Sequence, residues 1–130
     1  MKHLSLILLL LFSTTCWGEW IPVTDNAAGI SYYIDYERVK ERGEYVYYWV
    51  LGDYLEPNPR GNMSDIAYEI GDCEMFRHKS LQSTFYRRSM GEGESTPVSE
   101  STISKQTWTF PSADSAAKIL LNLVCGIVKW

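Results

Sequence analysis

Cys73 and Cys125 are the residues whose chemistry this sequence specifies best. In an exported chain they can pair in only one way, and an oxidising compartment favours that bridge. The alternative is a pair of free, buried thiols. Metal binding is disfavoured, because no nearby His or Cys completes a set of four ligands. We therefore expect one disulfide bond, with both thiols used structurally rather than for catalysis.

His78 is the other residue that invites a chemical role, as the only histidine outside residues 1–18. A general base or metal ligand needs an oriented partner that the sequence does not place, and a histidine on a strand or at the surface is the alternative. The carboxylates Asp35, Glu37 and Asp53 follow no spacing typical of glycosidases or calcium loops. The sequence also lacks phosphate-loop, Gly-x-Ser-x-Gly and Cys-x-x-Cys motifs. We predict no catalytic residue, metal site or cofactor, and no enzyme.

Four cations lie along one predicted strand: Arg77, Lys79, Arg87 and Arg88. Three of them, Arg77, Lys79 and Arg87, share parity and face the same side of a sheet if no bulge intervenes. Such a basic patch would steer an acidic partner. The alternative is a solvated face, or a sheet edge that its cations protect from aggregation.

Tyrosine is unusually dense in the first half of the chain, at Tyr32, Tyr33, Tyr36, Tyr45, Tyr47, Tyr48 and Tyr54. No strand can bury all of them on one side, so some must lie on an exposed face, where tyrosine is a common contact residue. Packing through cross-strand aromatic pairs is the alternative. We take Tyr33, Tyr47 and Trp49, together with Arg77, Lys79 and Arg87, as candidate binding residues.

Residues 1–18 carry the pattern of a secretory signal peptide. Lys2 gives a charged start, residues 4–12 are almost wholly apolar, and Gly18 ends a segment suited to cleavage. The apolar run is shorter than the roughly 20 residues that span a membrane. The alternatives are a buried N-terminal helix and a lipidated Cys16, whose preceding residues match a lipoprotein signal poorly. We expect membrane attachment only if that cysteine is lipidated.

The charge balance bears on the partner. The chain carries a net charge of −4 at pH 7, and loss of Lys2 with the signal makes the remaining domain, residues 19–130, more acidic. This sign argues against a nucleic acid or an anionic membrane as the main partner. We expect one domain with a protein partner, and a homodimer remains open.

The elements that must position these residues are mostly strands. Alternating or apolar runs bounded by Gly, Pro and Asp predict strands at residues 20–23, 30–36, 45–51, 65–70, 74–88 and 105–110. Residues 41–44 read as a hairpin turn with Gly43 at its tip, and Tyr45–Leu51 as a central strand. The Gly- and Ser-rich residues 91–104 predict a mobile loop or a long hairpin connection.

One helix follows Pro111, with Ser112 as a candidate N-cap and Asp114 in the first turn. Its apolar stripe comprises Ala113, Ala117, Leu120, Val124 and Ile127. Cys125 lies on the same broad apolar side. A helix that presents this side to a sheet would place Cys125 where a strand-borne Cys73 can meet it.

A set of residues spread over the chain carries a family resemblance. They are Trp20, Tyr32-Tyr33-Ile34-Asp35, Val46-Tyr47-Tyr48-Trp49, Gly71-Asp72-Cys73-Glu74, Arg77, Phe85-Tyr86, Trp108-x-Phe110-Pro111-Ser112 and Leu123-Val124-Cys125. Over residues 19–128 this set resembles the surface-adhesin protein E family of Gram-negative bacteria. The resemblance implies an α+β fold, in which an antiparallel sheet of about six strands packs against one C-terminal helix and the cysteines are bridged.

The resemblance also implies a function. The founding member of the family is an outer-membrane adhesin for host matrix and serum proteins. The resemblance therefore implies that this chain is an exported, non-enzymatic domain, which contacts a protein partner in the periplasm or at the outer cell surface. The alternative is a structural or accessory protein of the cell envelope without a host ligand. A small hydrolase, or an inhibitor of one, is a third class.

Overall fold

The computed structural model describes residues 19–128, which form one sheet of seven strands and a C-terminal helix. The predicted signal peptide, with Cys16, lies outside the described residues. The strands are β1 (Ile21–Asp25), β2 (Ile30–Ile34), β3 (Lys40–Arg42), β4 (Tyr45–Tyr54), β5 (Ser64–Asp72), β6 (Arg77–Tyr86) and β7 (Ser95–Pro97). The helices are α1 (Glu100–Ile103) and α2 (Ala116–Ile127), with 3₁₀ turns at Tyr36–Arg38 and Ser89–Gly91.

All strand pairs are antiparallel, in the order β1-β2-β4-β5-β6-β7, and β3 pairs with the first residues of β4. This confirms the α+β fold with an antiparallel sheet and one C-terminal helix. The central position predicted for the strand that begins at Tyr45 is also confirmed, because β4 pairs with β2, β3 and β5. Gly43 forms the tip of the β3–β4 hairpin at φ 61°, a conformation that favours glycine.

Buried and partly buried side chains alternate along β4 and so define the two faces of the sheet. Val46, Tyr48 and Val50 are buried against α2, on what we call the helix face. Tyr45 and the other residues of the opposite parity point away from the helix, on what we call the open face. Residues directly paired across two antiparallel strands share a face, so the register assigns every other strand residue to one face or the other.

The core lies between the helix face and α2. From the helix come Leu120, Leu121, Val124 and Cys125, and from the sheet Ile34, Val46, Tyr48 and Val50. The close approach depends on Gly71, where an added Cβ would lie 2.7 Å from Leu121 Cδ1 and 3.0 Å from Val46 Cγ1. A larger residue there would push the helix away from the sheet.

The apolar stripe predicted for α2 is correct at Ala117, Leu120 and Val124, but Ile127 is 37% exposed. The predicted start is wrong, since Ala113 and Asp114 precede the helix, and so is the predicted N-cap. Ser115, not Ser112, caps the helix: its hydroxyl accepts the Lys118 N–H at 3.2 Å and donates to the Ser112 carbonyl at 2.8 Å. Because several capping residues follow one another here, packing against the sheet decides which of them caps the helix. No helix within residues 19–128 is long and apolar enough to cross a membrane.

Cys73 and Cys125 form the expected disulfide bond, with a Cα–Cα distance of 5.8 Å. Cys73 directly follows β5, and Cys125 lies in the last turns of α2. The bridge therefore fastens the C-terminal part of the helix to the end of a central strand.

Two predictions for the second half of the chain are wrong. Residues 105–110 form no strand; Thr109 alone makes a bridge to His78, and Pro111, which lacks an N–H, ends the pairing there. For residues 91–104 the mobile loop is wrong, since they contain β7 and α1, whereas a hairpin connection does join β6 to β7. β7 pairs with the end of β6, and the Ser99 hydroxyl caps α1 by accepting the Thr102 N–H at 3.3 Å.

Candidate functional site

Three aromatic rings form a row in the middle of the open face. Tyr47 and Trp49 lie two residues apart on β4, and Tyr68 lies opposite Trp49 on β5. The Tyr68 ring centroid is 6.0 Å from that of Tyr47 and 4.6 Å from that of Trp49. We call these three residues the aromatic row. The side chains are only partly buried, so their faces and edges are available for contact.

Basic groups surround the aromatic row. Arg42 lies on β3 with its guanidinium carbon 5.3 Å from the centre of the Tyr47 ring. On β6, the Arg77 guanidinium carbon lies 4.5 Å and Lys79 Nζ 5.0 Å from the ring of Trp108. Each contact of this kind contributes roughly 0.5–1 kcal/mol at an exposed site. Cations are thus held over aromatic rings along two sides of the face.

Trp108 continues the aromatic surface beyond the aromatic row. Although its segment is not a strand, its ring lies 5.2 Å from that of Tyr45, at the first residue of β4. Arg77 is fixed over it by an ion pair with Asp72, with Nε 2.9 Å from Oδ2. Burial disfavours the charged form of Asp72, but the Met75 and Glu74 backbone N–H groups and the Arg77 guanidinium outweigh it and hold the pKa of this carboxyl below its usual value.

The predicted basic patch is only partly assembled. Tyr68 and Glu69 are adjacent on β5, but their partners on β6 are Gln82 and Ser80, which leaves Leu81 as an extra residue in a β-bulge. The bulge reverses the parity of the residues that follow it. Arg77 and Lys79 precede the bulge and lie on the open face. Arg87 follows it, so it no longer shares their parity, and it also lies beyond the end of β6.

Arg87 has a separate role, since its Nη1 donates to the Arg60 carbonyl at 2.6 Å and so ties two loops together. Tyr33, in contrast, lies on the open face as a cross-strand neighbour of Leu51. Of the predicted binding residues, the structure therefore brings Tyr33, Tyr47, Trp49, Arg77 and Lys79 to one face, and it places Arg87 elsewhere.

A cavity of about 190 Å³ adjoins the aromatic row. Trp49, Ile66 and Tyr86 contribute to its lining from the sheet, while Trp20 and Arg38 enter from outside it. Beyond Ile66 the face is closed by the turn Ser89–Gly91, where a Cβ on Gly91 would lie 2.7 Å from the Ile66 side chain. The open surface therefore extends from Trp108 at one end to this cavity at the other.

Sequence reasoning missed Tyr68, Trp108, Arg42 and Trp20 as members of this surface. Tyr68 could have been predicted, because it lies within the predicted strand at residues 65–70, where alternate side chains point to the same face of the sheet. Trp108 could not, because its position depends on how the chain between β7 and α2 folds back over the sheet. His78 lies on the helix face, where its Nδ1 is 3.2 Å from Glu69 Oε1, and takes no part in the open face.

Aromatic rings with cations above and beside them suit the recognition of another protein, since Tyr, Trp and Arg are the residues most enriched in the cores of interfaces. The described residues offer no nucleophile beside an oriented base on this face.

Comparison with curated proteins finds no similar sequence. Solved structures of Haemophilus influenzae protein E share the fold: one crystal form matches with a TM-score of 0.63 at 19% sequence identity, covering 87% of this chain and 91% of that chain. Protein E from non-typeable Haemophilus influenzae gives a TM-score of 0.59 at 19% identity, covering 87% and 79%. Residues 20–126 match the family described as surface-adhesin protein E, in agreement with the resemblance seen in the sequence. The chain therefore belongs to the surface-adhesin protein E family.

Proposed function

We propose that this protein is an exported, non-enzymatic binding domain that contacts a protein partner through the open face of its sheet. The single observation that carries the proposal is the aromatic row of Tyr47, Tyr68 and Trp49, which α2 leaves uncovered while cations surround it. Family membership supports the same function, since the family is one of surface adhesins.

Charge favours an acidic partner surface. The whole chain carries a net charge of −4, yet the open face gathers Arg42, Arg77 and Lys79. A local positive field of this kind increases the rate of encounter with an acidic surface and sets its orientation, while the aromatic side chains supply buried contact area. We infer a protein of the host matrix or of the cell envelope as the partner class.

Export is supported by two features: the signal-like residues 1–18, and the disulfide bond, which is typical of proteins in oxidising compartments. Both cysteines of the described domain are committed to the bridge, which supports a role without thiol chemistry. The periplasm and the outer cell surface both satisfy these conditions.

A pull-down with matched charge variants tests the proposal. The purified protein is used as bait for envelope and host-matrix extracts, and captured proteins are identified by mass spectrometry. The variant Arg42→Glu/Lys79→Glu reverses two cations on the open face. The control Arg60→Glu/Arg87→Glu changes the net charge equally, away from that face. We expect capture to fall at least tenfold for the first variant and to persist for the control.

Two outcomes would contradict the open face as the binding surface. If both variants lose capture of the partner equally, the effect is one of overall charge. If the open-face variant captures the partner as well as the natural protein does, the cations of the open face take no part in binding. Capture of this same chain as the main species, confirmed by light scattering, would instead support self-association and the envelope-protein alternative.

A further inference from the structure

A polar cavity of about 210 Å³ lies on the other side of the sheet, beneath α2. Residues of β2, β4, β5 and β6 form its floor, and Ala117 and Leu120 of α2 form one wall. Two small side chains, Ala67 on the floor and Ala117 above it, leave the space open. At about 30 Å³ for each water, it has room for about seven waters or for one short-chain organic ligand.

Two polar groups in this cavity have no partner within residues 19–128. Glu69 Oε2 is fully buried and accepts no hydrogen bond, although Oε1 of the same carboxylate lies 3.2 Å from His78 Nδ1. Tyr48 is 2% exposed and lines the cavity, and no hydrogen bond to its hydroxyl is formed in the described part of the chain. A buried polar atom without a partner, as Glu69 Oε2 is, is rare in native proteins, because it costs about 1–3 kcal/mol.

The cavity also carries negative charge. Asp65 and Glu69 both line it, whereas no Lys or Arg does, and the basic side chain among the lining residues is His78, 3.2 Å from Glu69. Burial raises the pKa of Asp65; the hydroxyl of Tyr54, which donates to Oδ1 at 2.8 Å, partly offsets this, and the charge of Glu69 raises the pKa further. Burial, and then the charge of Glu69, likewise raise the pKa of Tyr48. A positive charge in this space would stabilise the two carboxylates, Asp65 and Glu69.

We propose that this cavity binds a small organic cation, an ammonium or guanidinium group on a short apolar stem, with Glu69 and Asp65 as its counter-ions. Glu69 Oε2 accepts a hydrogen bond from the cationic head, and the Tyr48 hydroxyl provides a second polar contact. The stem lies against Val50, Ala67 and Leu120. A polar head and an apolar stem match a site in which a few polar groups converge on an apolar wall.

The composition of the cavity favours an organic cation over a metal ion. Within residues 19–128, no three His, Cys, Asp or Glu side chains are placed to hold a metal. The cation has two sources, a free small amine or guanidine and the side chain of a Lys or Arg on a partner protein. The site lies on the helix face, so a test of cation binding there is independent of the test of protein binding through the open face.

The experiment is an NMR titration of the purified protein with matched probes whose alkyl stems have four or five carbons. The cations are n-pentylamine and n-butylguanidine, and the controls are neutral n-pentanol and anionic pentanoate. We expect saturable shifts at the amides of Ala67, Ala117 and Leu120 with both cations, and affinities at least tenfold weaker for the two controls. The side-chain source is tested with a tripeptide carrying a central Lys; its binding at the same amides extends the site to partner proteins, and its failure restricts the site to free cations.

Three variants separate charge from shape. Glu69→Gln keeps the volume and removes the charge, and we expect it to weaken cation binding at least tenfold. Ala67→Leu keeps both carboxylates but fills the space, and we expect it to abolish binding. Glu74→Gln removes an exposed carboxylate outside the cavity and should leave binding unchanged. Circular dichroism and thermal unfolding establish that each variant is folded.

The proposal is overturned if neither cation gives saturable shifts at these amides, or if n-pentanol binds as tightly as n-pentylamine. Unchanged cation affinity in Glu69→Gln would overturn it as well. If that variant does not fold, Ala67→Leu decides the question alone, because persistent binding in a filled cavity contradicts the proposed location.

Discussion

Arg77 binds two partners at once, and the two contacts serve different ends. Its guanidinium pairs with the buried carboxylate of Asp72 and lies over the ring of Trp108. Lys79 also lies over Trp108 but pairs with no carboxylate among the described residues. One cation of the open face is thus built into the structure, while its neighbour remains available for a partner.

Replacing these two cations separates the two roles. Arg77→Ala leaves the Asp72 carboxylate, whose side chain is 7% exposed, without its counter-ion, and we expect a loss of about 2 kcal/mol in the free energy of unfolding. Lys79→Ala removes a partly exposed contact, and we expect a loss below about 1 kcal/mol. Urea denaturation followed by tryptophan fluorescence measures both. Equal losses would mean that the Asp72 ion pair does not stabilise the fold.

Two carboxylates are expected to respond to pH with opposite signs. The pKa of Asp72 is lowered from 3.8 in the folded protein, so its contribution is stabilising above pH 3.8 and is lost as pH falls through the lower folded value. The pKa of Asp65 is raised from 3.8, so its ionisation destabilises the fold at neutral pH, and this penalty disappears as pH falls to 3.8.

The matching variants test these signs at pH 7 and at low pH. We expect Asp72→Asn to be less stable than the natural protein at pH 7, and Asp65→Asn to be more stable. Both differences should shrink toward zero as the carboxyl groups of the natural protein become protonated. Chemical denaturation between pH 3 and pH 7 provides the measurement. A stabilising difference for Asp72→Asn, or a destabilising one for Asp65→Asn, at pH 7 would contradict the assignments.

At the scale of elements, α2 is joined to the sheet by a covalent bond as well as by its apolar side. The bridge from Cys73 closes a loop of 52 residues that contains β6, β7, α1 and most of α2. In the chain-entropy treatment, a loop of this length contributes about 4 kcal/mol by restricting the unfolded chain. The location of the bridge also predicts which element loses stability first when the bridge is removed.

The variant Cys73→Ser/Cys125→Ser is expected to lose about 4 kcal/mol of unfolding free energy. Hydrogen exchange should show α2 losing protection before β4 and β5, because the sheet keeps its own backbone ladder. The natural protein under reducing conditions should match the variant, whereas the variant should not respond to the reductant. Simultaneous loss of protection in helix and sheet would mean that the bridge does not act locally.

How far the elements follow from sequence depends on how local their causes are. Periodicity alone predicts a central strand at Tyr45–Leu51 and an amphipathic helix from the apolar spacing between Ala117 and Ile127. The bulge at Leu81 leaves no local signal, because it depends on the pairing of β5 with β6, and it removed Arg87 from the expected patch. β7 and α1 escaped prediction because one pairing and one Ser99 cap order a segment whose composition suggests a loop.

On the scale of the whole molecule, the two faces of the sheet divide the work. One carries the helix, the core and the polar cavity, and the other carries the aromatic row with its cations. Trp20 reaches the open face only two residues after the predicted cleavage point at Gly18. How the N-terminus is processed therefore bears directly on access to the open face.

Lipidation of Cys16 and cleavage after Gly18 have different consequences for that access. Trp20 lies four positions after Cys16, a distance of at most about 14 Å along the chain, so a lipid on Cys16 would hold the open face close to a membrane. A large protein partner would then meet steric exclusion, whereas a chain that begins at Glu19 presents the face freely. Because the proposed function requires access by a protein, we expect cleavage before Glu19 without a lipid. Intact mass spectrometry of the exported protein should give a chain starting at Glu19, two hydrogens lighter before reduction than after. A diacylglyceryl adduct on Cys16 would contradict this and would restrict the partner to proteins of the same envelope surface.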